Sequence, residues 1–326
     1  MTLCTVAATW QQPVTVVAES SVMDLHAFLA DAFKTVAPDV RWLKPEQVSD
    51  PALVDVALCW YAAPGALARY SKLKLVQSLA AGPDHLFQSL DGVGAQVPLC
   101  RIVDPHMSNA MAAYVCWAVL QQQRQFQRYT LQQTQRLWQR SSVESAHTHC
   151  VGIAGLGQLG LACAQVLRTL GFQVRGWARS AKDAVPEGVQ VFVADAQLGN
   201  FLQGCDTLVC LLPLTPQTRG FIGSRVLAQL PAHAHVINAS RGEHVDEAAL
   251  LQALDSGALA HATLDAFAHE PLPPEHAFWA HPKVSVTPHV GARTPNTQVV
   301  RQMLENLQAA WLGQTRDTWV DRLRGY

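Results

Sequence analysis

Charge is scarce in this chain, and no surplus of either sign is present. Only 15% of the 326 residues are charged, and 24 Lys and Arg against 25 Asp and Glu leave a formal net charge of -1 at pH 7. That balance lacks the electrostatic footprint of a protein whose partner is a nucleic acid or an anionic membrane. The cysteines (Cys4, Cys59, Cys100, Cys116, Cys150, Cys163, Cys205 and Cys210) include no C-x-x-C pair and fall mostly inside apolar runs. They read as small buried hydrophobes in a reducing compartment, which argues against disulfides and against a metal site. The start, MTLCTVAATWQQP, has no basic stretch followed by an apolar one, and the longest uncharged apolar run, around Ala110 to Leu120, is too short to span a bilayer. The cytoplasm is the expected location. Repeats and low-complexity segments are missing as well.

What is present is enough chain for more than one core: the length favours two domains of ordinary size. Short β-rich runs alternate with helical ones from beginning to end, the pattern of α/β layers around mainly parallel sheets. In the first third, VTVVAE, VDVALCW and LKLVQSL are strand-like, and Asp24 to Val36 has helical spacing. Val97 to Val103 is expected to close this first sheet, with its proline near the start. One long helix is expected from about Asp104 to Gln139, apolar in AMAAYVCWAVL and polar afterwards, as suits a connector between domains. Strands follow at Cys150 to Ala154, Gln173 to Trp177, Thr207 to Leu212, His235 to Asn238, Ala262 to Leu264 and Val284 to Thr287, the set of six that a full dinucleotide-binding sheet requires. PNTQVVRQMLENLQAAWL is a helix by period and is expected to return the chain to the first domain. The domains are therefore read as 1–103, 104–289 and 290–326, the last completing the first.

CVGIAGLGQLGLACAQVLRTLG runs from an apolar strand through G-x-G-x-x-G (Gly155, Gly157, Gly160) into an amphipathic helix closed by Gly171. A dinucleotide site demands a tight turn at the first glycine, backbone approach to the pyrophosphate at the second and close helix packing at the third, with the phosphate at the helix N-terminus. The end of the next strand carries an acid in NAD enzymes. Here it reads GWARSAKD, and Arg179, Ser180 and Lys182 stand where a guanidinium can hold a 2'-phosphate instead. NADPH is expected as the preferred cofactor, with NADH usable. The competing reading is a solvated basic loop.

Three further segments, NASRGEHVDEAALLQAL from Asn238, LDAFAHEPLPP from Leu264 and HPKVSVTPHVGA from His281, resemble in order and spacing the D-isomer-specific 2-hydroxyacid dehydrogenases. GFQVRGWARS, LDAFAHEPLPPEHAFWAHP and VDRLRGY resemble in particular the glyoxylate/hydroxypyruvate reductases of the bacterial A type. The resemblance implies an α/β, two-domain architecture in which a Rossmann-type dinucleotide-binding domain is inserted in a flavodoxin-like substrate domain. It also implies reduction of a small 2-oxo acid such as glyoxylate or hydroxypyruvate. It makes Arg241 the receptor of the substrate carboxylate and carbonyl, His289 the proton donor, and Glu270 the carboxylate that favours the imidazolium. The cofactor contacts implied are Gly155, Gly157, Gln158, Leu159, Gly160, Arg179, Ser180, Lys182, Pro213, Thr218, Ala239 and Asp265, the last orienting the nicotinamide carboxamide. For Asp265 the competing reading is a strand-end cap of a local turn. SLAAGPDHL resembles the loop whose amides receive the substrate carboxylate, at Ala81 and Gly82. Trp60 or Tyr61 is the expected substrate wall.

Trp138 resembles the tryptophan of a dimerisation arm, so a homodimer is expected, although an aromatic on a polar helix end also serves simple packing. The triad alone leaves open lactate, phosphoglycerate or a branched 2-oxo acid as substrate. Phosphoglycerate enzymes often have an added regulatory domain, and none is expected after VDRLRGY. An acid at position 270 argues against formate dehydrogenases, which use an amide there. A nicotinamide-sensing corepressor on the same scaffold is the competing function of a different class, and such proteins carry disordered tails that are not expected here.

Overall fold

A computed structural model of the chain describes residues 13–142 and 144–326. Cys4 lies outside the described residues; the cysteines within them are all buried and free.

The described residues divide into two compact units, one of residues 13–104 with 294–326 and the other within Pro105–Arg293. In the first unit, β1 (Thr15–Ser20), α1 (Leu25–Val36), β2 (Arg41–Leu43), β3 (Val56–Trp60), β4 (Leu75–Ser78) and β5 (Leu99–Cys100) form a sheet in the order β2-β1-β3-β4-β5. The strand pairs of this sheet are parallel. This is the flavodoxin-like order. The Asp24 carboxylate caps α1 by accepting the Ala27 amide at 2.9 Å, which is why the helix starts at Leu25. β2 was not anticipated, because RWL offers one exposed and two half-buried residues and no alternation. The closing strand is also shorter than expected. Pro98 has no N–H to give the ladder, and the Arg101 amide bonds instead to the Thr318 carbonyl at 2.9 Å.

The second unit opens with α2 (Pro105–Gln123) and α3 (Phe126–Thr134), where one continuous helix was expected. Gln125 takes a left-handed φ of 55° between them, and Arg136 repeats this with 56°. Beyond Gln123 the glutamine-rich sequence has too few apolar residues at helical spacing to hold a longer helix against a core. Then follow β6 (Cys150–Ala154), α4 (Gln158–Thr169), β7 (Gln173–Ala178), β8 (Gln190–Val193), α5 (Leu198–Leu202), β9 (Thr207–Cys210), α6 (Ser224–Leu227), β10 (His235–Asn238), α7 (Glu247–Ser256), β11 (His261–Leu264), α8 (Ala277–Ala280) and β12 (Val284–Val286). Helix α9 (Asn296–Trp311) belongs to the first unit, where it packs on α1 and β4.

Among the described residues the second sheet has seven strands, not six, in the order β12-β11-β10-β9-β6-β7-β8. Counted from β6, this is the 3-2-1-4-5-6 Rossmann order with one strand added beyond the sixth. The strand missed in sequence is β8, a short edge strand (QVFV) with no fully buried residue. The central strands β6, β9, β10 and β11 are buried along their whole length, as expected for a parallel sheet with helices on both faces. Three histidines are buried with them, each paired through Nε2 with a hydroxyl on a neighbouring strand: His149 with Thr207 (3.0 Å), His235 with Thr263 (2.8 Å) and His261 with Ser285 (3.0 Å).

Candidate active site

The carboxyl ends of a parallel sheet, at the point where strand order reverses, are where an open α/β fold binds its ligand. In the second unit that point lies between β6 and β9, and the glycine-rich turn follows β6. Gly155 has a φ of 105°, and a Cβ there would come within 2.6 Å of the Leu211 carbonyl oxygen. At Gly160 a Cβ would reach 2.0 Å from the Gly155 carbonyl oxygen, so no other residue lets α4 approach the strand this closely. Gly157 differs, because a Cβ there would meet nothing within 4 Å. The protein's own packing does not require glycine at 157, and the open space it faces, before the N-terminus of α4, suits a pyrophosphate. Gln158 is exposed and Leu159 half-buried at the start of that helix.

Arg179, Ser180 and Lys182 are exposed immediately after β7, at the carboxyl end of the second strand of the fold. After β9, the Thr218 hydroxyl donates to the Pro213 carbonyl at 2.6 Å and accepts the Thr215 amide at 2.9 Å, which shapes residues 213–218 into a compact turn. Ala239 is buried directly after β10.

Arg241 follows on the same segment. Gly242 beside it has a simple steric reason: a Cβ there would lie 1.9 Å from the Phe267 carbonyl carbon, so this contact brings the arginine turn against the loop after β11. The Arg241 carbonyl accepts from the Asn238 side chain at 2.8 Å, and its guanidinium contributes to the electrostatic field at Glu270.

Glu270 and His289 meet directly. His289 Nδ1 is 2.9 Å from Oε2 and 3.0 Å from Oε1, and Oε1 also accepts the Phe267 amide at 2.9 Å. Burial pushes the Glu270 carboxyl up, but the hydrogen bonds from His289 and Phe267 and the charges of His289 and Arg241 prevail, and the group lies below the usual carboxylate range. An ionised carboxylate only accepts, so Nδ1 carries a proton toward it and Nε2 is the nitrogen that can face a substrate oxygen. The side chains are 35% and 37% exposed, which leaves them reachable from solvent.

Asp265, at the end of β11, is 1% exposed. Its Oδ1 accepts the Thr287 hydroxyl at 2.6 Å and the Val290 amide at 2.9 Å, and its Oδ2 accepts the Gly291 amide at 2.8 Å. It therefore caps the turn that bears His289, and this contact was not foreseen beyond the general reading of a strand-end cap.

The pattern described as "D-isomer specific 2-hydroxyacid dehydrogenase, NAD binding domain" matches residues 116–291, which hold every one of these groups. The chain belongs to the D-isomer specific 2-hydroxyacid dehydrogenases. It is 40% identical over 281 residues to the glyoxylate/hydroxypyruvate reductase A of Yersinia enterocolitica, covering 85% of this chain and 89% of the relative. The reductase of the same name from Serratia proteamaculans is 40% identical over 284 residues, or 86% and 90% of the two chains. Among solved structures, a D-isomer specific 2-hydroxyacid dehydrogenase from Xanthobacter autotrophicus Py2 in complex with NADPH and MES has a TM-score of 0.88 at 38% identity, over 97% of this chain and 100% of that one. The NADPH-dependent glyoxylate/hydroxypyruvate reductase of Sinorhizobium meliloti, in complex with NADP and sulfate, gives 0.88 at 34% identity over 96% and 100%.

In this dehydrogenase the first unit holds the residues expected to contact substrate. Trp60 ends β3, Tyr61 follows with a left-handed φ of 47°, and Ala81 and Gly82 are half-buried after β4. His85, not singled out in the sequence, joins them. It accepts the Tyr61 amide through Nδ1 at 3.0 Å, pairs with the Ser78 hydroxyl at 3.1 Å, and its ring centroid is 4.8 Å from that of Trp60. The motif GPDHL contained it, without a signal to separate it from other polar loop residues. Trp138 is 93% exposed.

Proposed function

We propose that the chain reduces glyoxylate to glycolate and hydroxypyruvate to D-glycerate, using NADPH in preference to NADH. The observation that carries this is the His289 to Glu270 pair beside Arg241. The names of the relatives at 40% identity support the choice of substrate, and the NADPH and NADP held by the solved relatives support the cofactor.

NADPH, when bound, supplies the hydride that C2 of the substrate receives. Gly155, Gly157, Gln158, Leu159 and Gly160 would hold its pyrophosphate, Arg179, Ser180 and Lys182 its 2'-phosphate, and Pro213, Thr218 and Ala239 the walls beyond. A carboxylate has about four acceptor positions. Three of those on Asp265 are taken, and the remaining one on Oδ2 suits the nicotinamide carboxamide.

The planar fork of Arg241 receives the substrate carboxylate and the C2 carbonyl oxygen and draws charge toward that oxygen. For Ala81, Gly82 and Trp60, contact with the substrate is what the resemblance to the family implies. His289 gives the Nε2 proton to the oxygen as the C–H bond forms, which completes the hydroxyl group. Glu270 stabilises the imidazolium before transfer and keeps the ring turned toward the substrate.

A cytoplasmic homodimer fits the same reading. Leu131, Leu137 and Trp138 are 59%, 54% and 93% exposed on one short segment, apolar area of the kind that a second copy covers. The test of the function is chiral analysis of glycerate formed from hydroxypyruvate and NADPH. D-glycerate is the expected product; L-glycerate or no product would contradict the proposal.

A further inference from the structure

The turn that carries His289 is also held from a side that takes no part in proton transfer. Thr287 Oγ1 lies 2.6 Å from Asp265 Oδ1 and 2.7 Å from the Tyr114 hydroxyl of α2. A threonine hydroxyl has one proton to give, and a carboxylate can only accept. Thr287 therefore donates to Asp265, and Tyr114 donates to Thr287. Burial first, and the Asp265 charge beside it, raise the Tyr114 phenol above its usual range and keep it protonated as this donor.

The amides of Val290 and Gly291 donate to the same carboxylate at 2.9 and 2.8 Å. Asp265 thus grips the turn on both sides of His289, whose φ of 53° is uncommon for a residue with a side chain. The grip is close: a Cβ on Gly291 would come within 2.8 Å of Asp265 Oδ2. An unfavourable backbone angle persists only where its surroundings over-determine it, and here those surroundings are the donors on Asp265.

We infer that Thr287 and Tyr114 are positioning residues for the reduction: through Asp265 they fix the angle at which His289 faces Glu270 and the substrate oxygen. This rests on His289 being the proton donor. Neither residue touches the reacting atoms in this scheme. They act by holding a geometry in which a displacement of about 1 Å costs on the order of a hundredfold in rate.

The experiment compares Thr287→Val, Thr287→Ser, Tyr114→Phe and His289→Ala, with Thr287→Val also made in the His289→Ala background. Thr287→Val keeps the shape and removes the hydroxyl. Its kcat should fall about tenfold or more, and that of Tyr114→Phe about threefold, while the NADPH Kd and the glyoxylate KM stay within about twofold. Thr287→Ser should restore most of the loss, as the hydroxyl that holds Asp265 is regained. In the His289→Ala background Thr287→Val should cost nothing further. Should Thr287→Val fail to fold, Tyr114→Phe gives the same comparison. A His289→Ala enzyme with nearly full activity overturns the reading itself, and the inference with it. If His289→Ala is impaired as expected, the inference alone is overturned by either of two results. One is an unchanged kcat in Thr287→Val and Tyr114→Phe; the other is a loss of the same factor with and without His289.

Discussion

His289 Nδ1 sits astride the Glu270 carboxylate, 2.9 Å from one oxygen and 3.0 Å from the other. The proton needed for reduction is thereby held on a ring whose charged form has a permanent partner. Glu270→Gln keeps the size and removes the charge, and kcat should fall about tenfold or more while the NADPH Kd stays within about twofold, because the ring loses the partner that orients it. A kcat within about twofold of the wild type removes Glu270 from the mechanism.

His289→Ala should lose about two to four orders of magnitude in kcat, the range for general acid catalysis, with NADPH affinity little changed. Cofactor binding read by fluorescence titration separates this loss from a collapsed cofactor site. Turnover within about threefold of wild type contradicts the assignment.

Cofactor choice follows from the exposed basic residues after β7. Arg179→Ala should raise the KM for NADPH about tenfold to a hundredfold and leave that for NADH nearly unchanged, because the proposed bidentate contact of the guanidinium with the 2'-phosphate would be lost. The preference for NADPH should also shrink as salt rises, since the site is open to solvent. Equal use of both cofactors by the wild type at low salt would make Arg179 an ordinary solvated residue.

The buried histidines of the second sheet make stability depend on pH. Burial, with His281 nearby, pushes His261 down to about 4, and burial holds His235 well below the imidazole range, with His261 and His149 adding to the effect. His149 is lowered by burial too, against the opposing pull of Asp206 and Glu144 and with a smaller lowering from His233. Such a group favours the fold fully above the unfolded value of about 6.5. Between there and about 4 the unfolded chain takes up the proton and the folded one does not, so stability falls as pH falls. For His261 alone the loss is on the order of 3 kcal/mol by the lower end of that window. Urea denaturation from about pH 7 to about pH 4 should show it, and His261→Gln should flatten the slope. A midpoint independent of pH would contradict the buried, neutral state of these rings.

The site was legible in sequence where chemistry and steric need coincide in one short motif. Gly242 must be glycine because Phe267 presses on it, and Arg241 travels with it as RG. Gly291 must be small because Asp265 lies against it, so PHVG marks His289. Tyr114 was not legible. It sits in an apolar run whose pattern speaks of burial, and its hydroxyl partner is 173 residues away. The fold was legible where strands are buried on both faces and read as apolar runs, as in β6 and β9. The edge strands β2 and β8 lie half in solvent and left no such run, and the break at Gln125 depends on a local left-handed turn that a glutamine-rich sequence does not announce.

The most direct test of the central claim is the initial rate of glyoxylate reduction by the wild type, measured with NADPH and with NADH beside pyruvate as the competing substrate. The account expects rapid oxidation of NADPH, a slower rate with NADH, and glyoxylate and hydroxypyruvate both ahead of pyruvate. No turnover of either short 2-oxo acid with NADPH, or a strong preference for a branched or aromatic one, would contradict it.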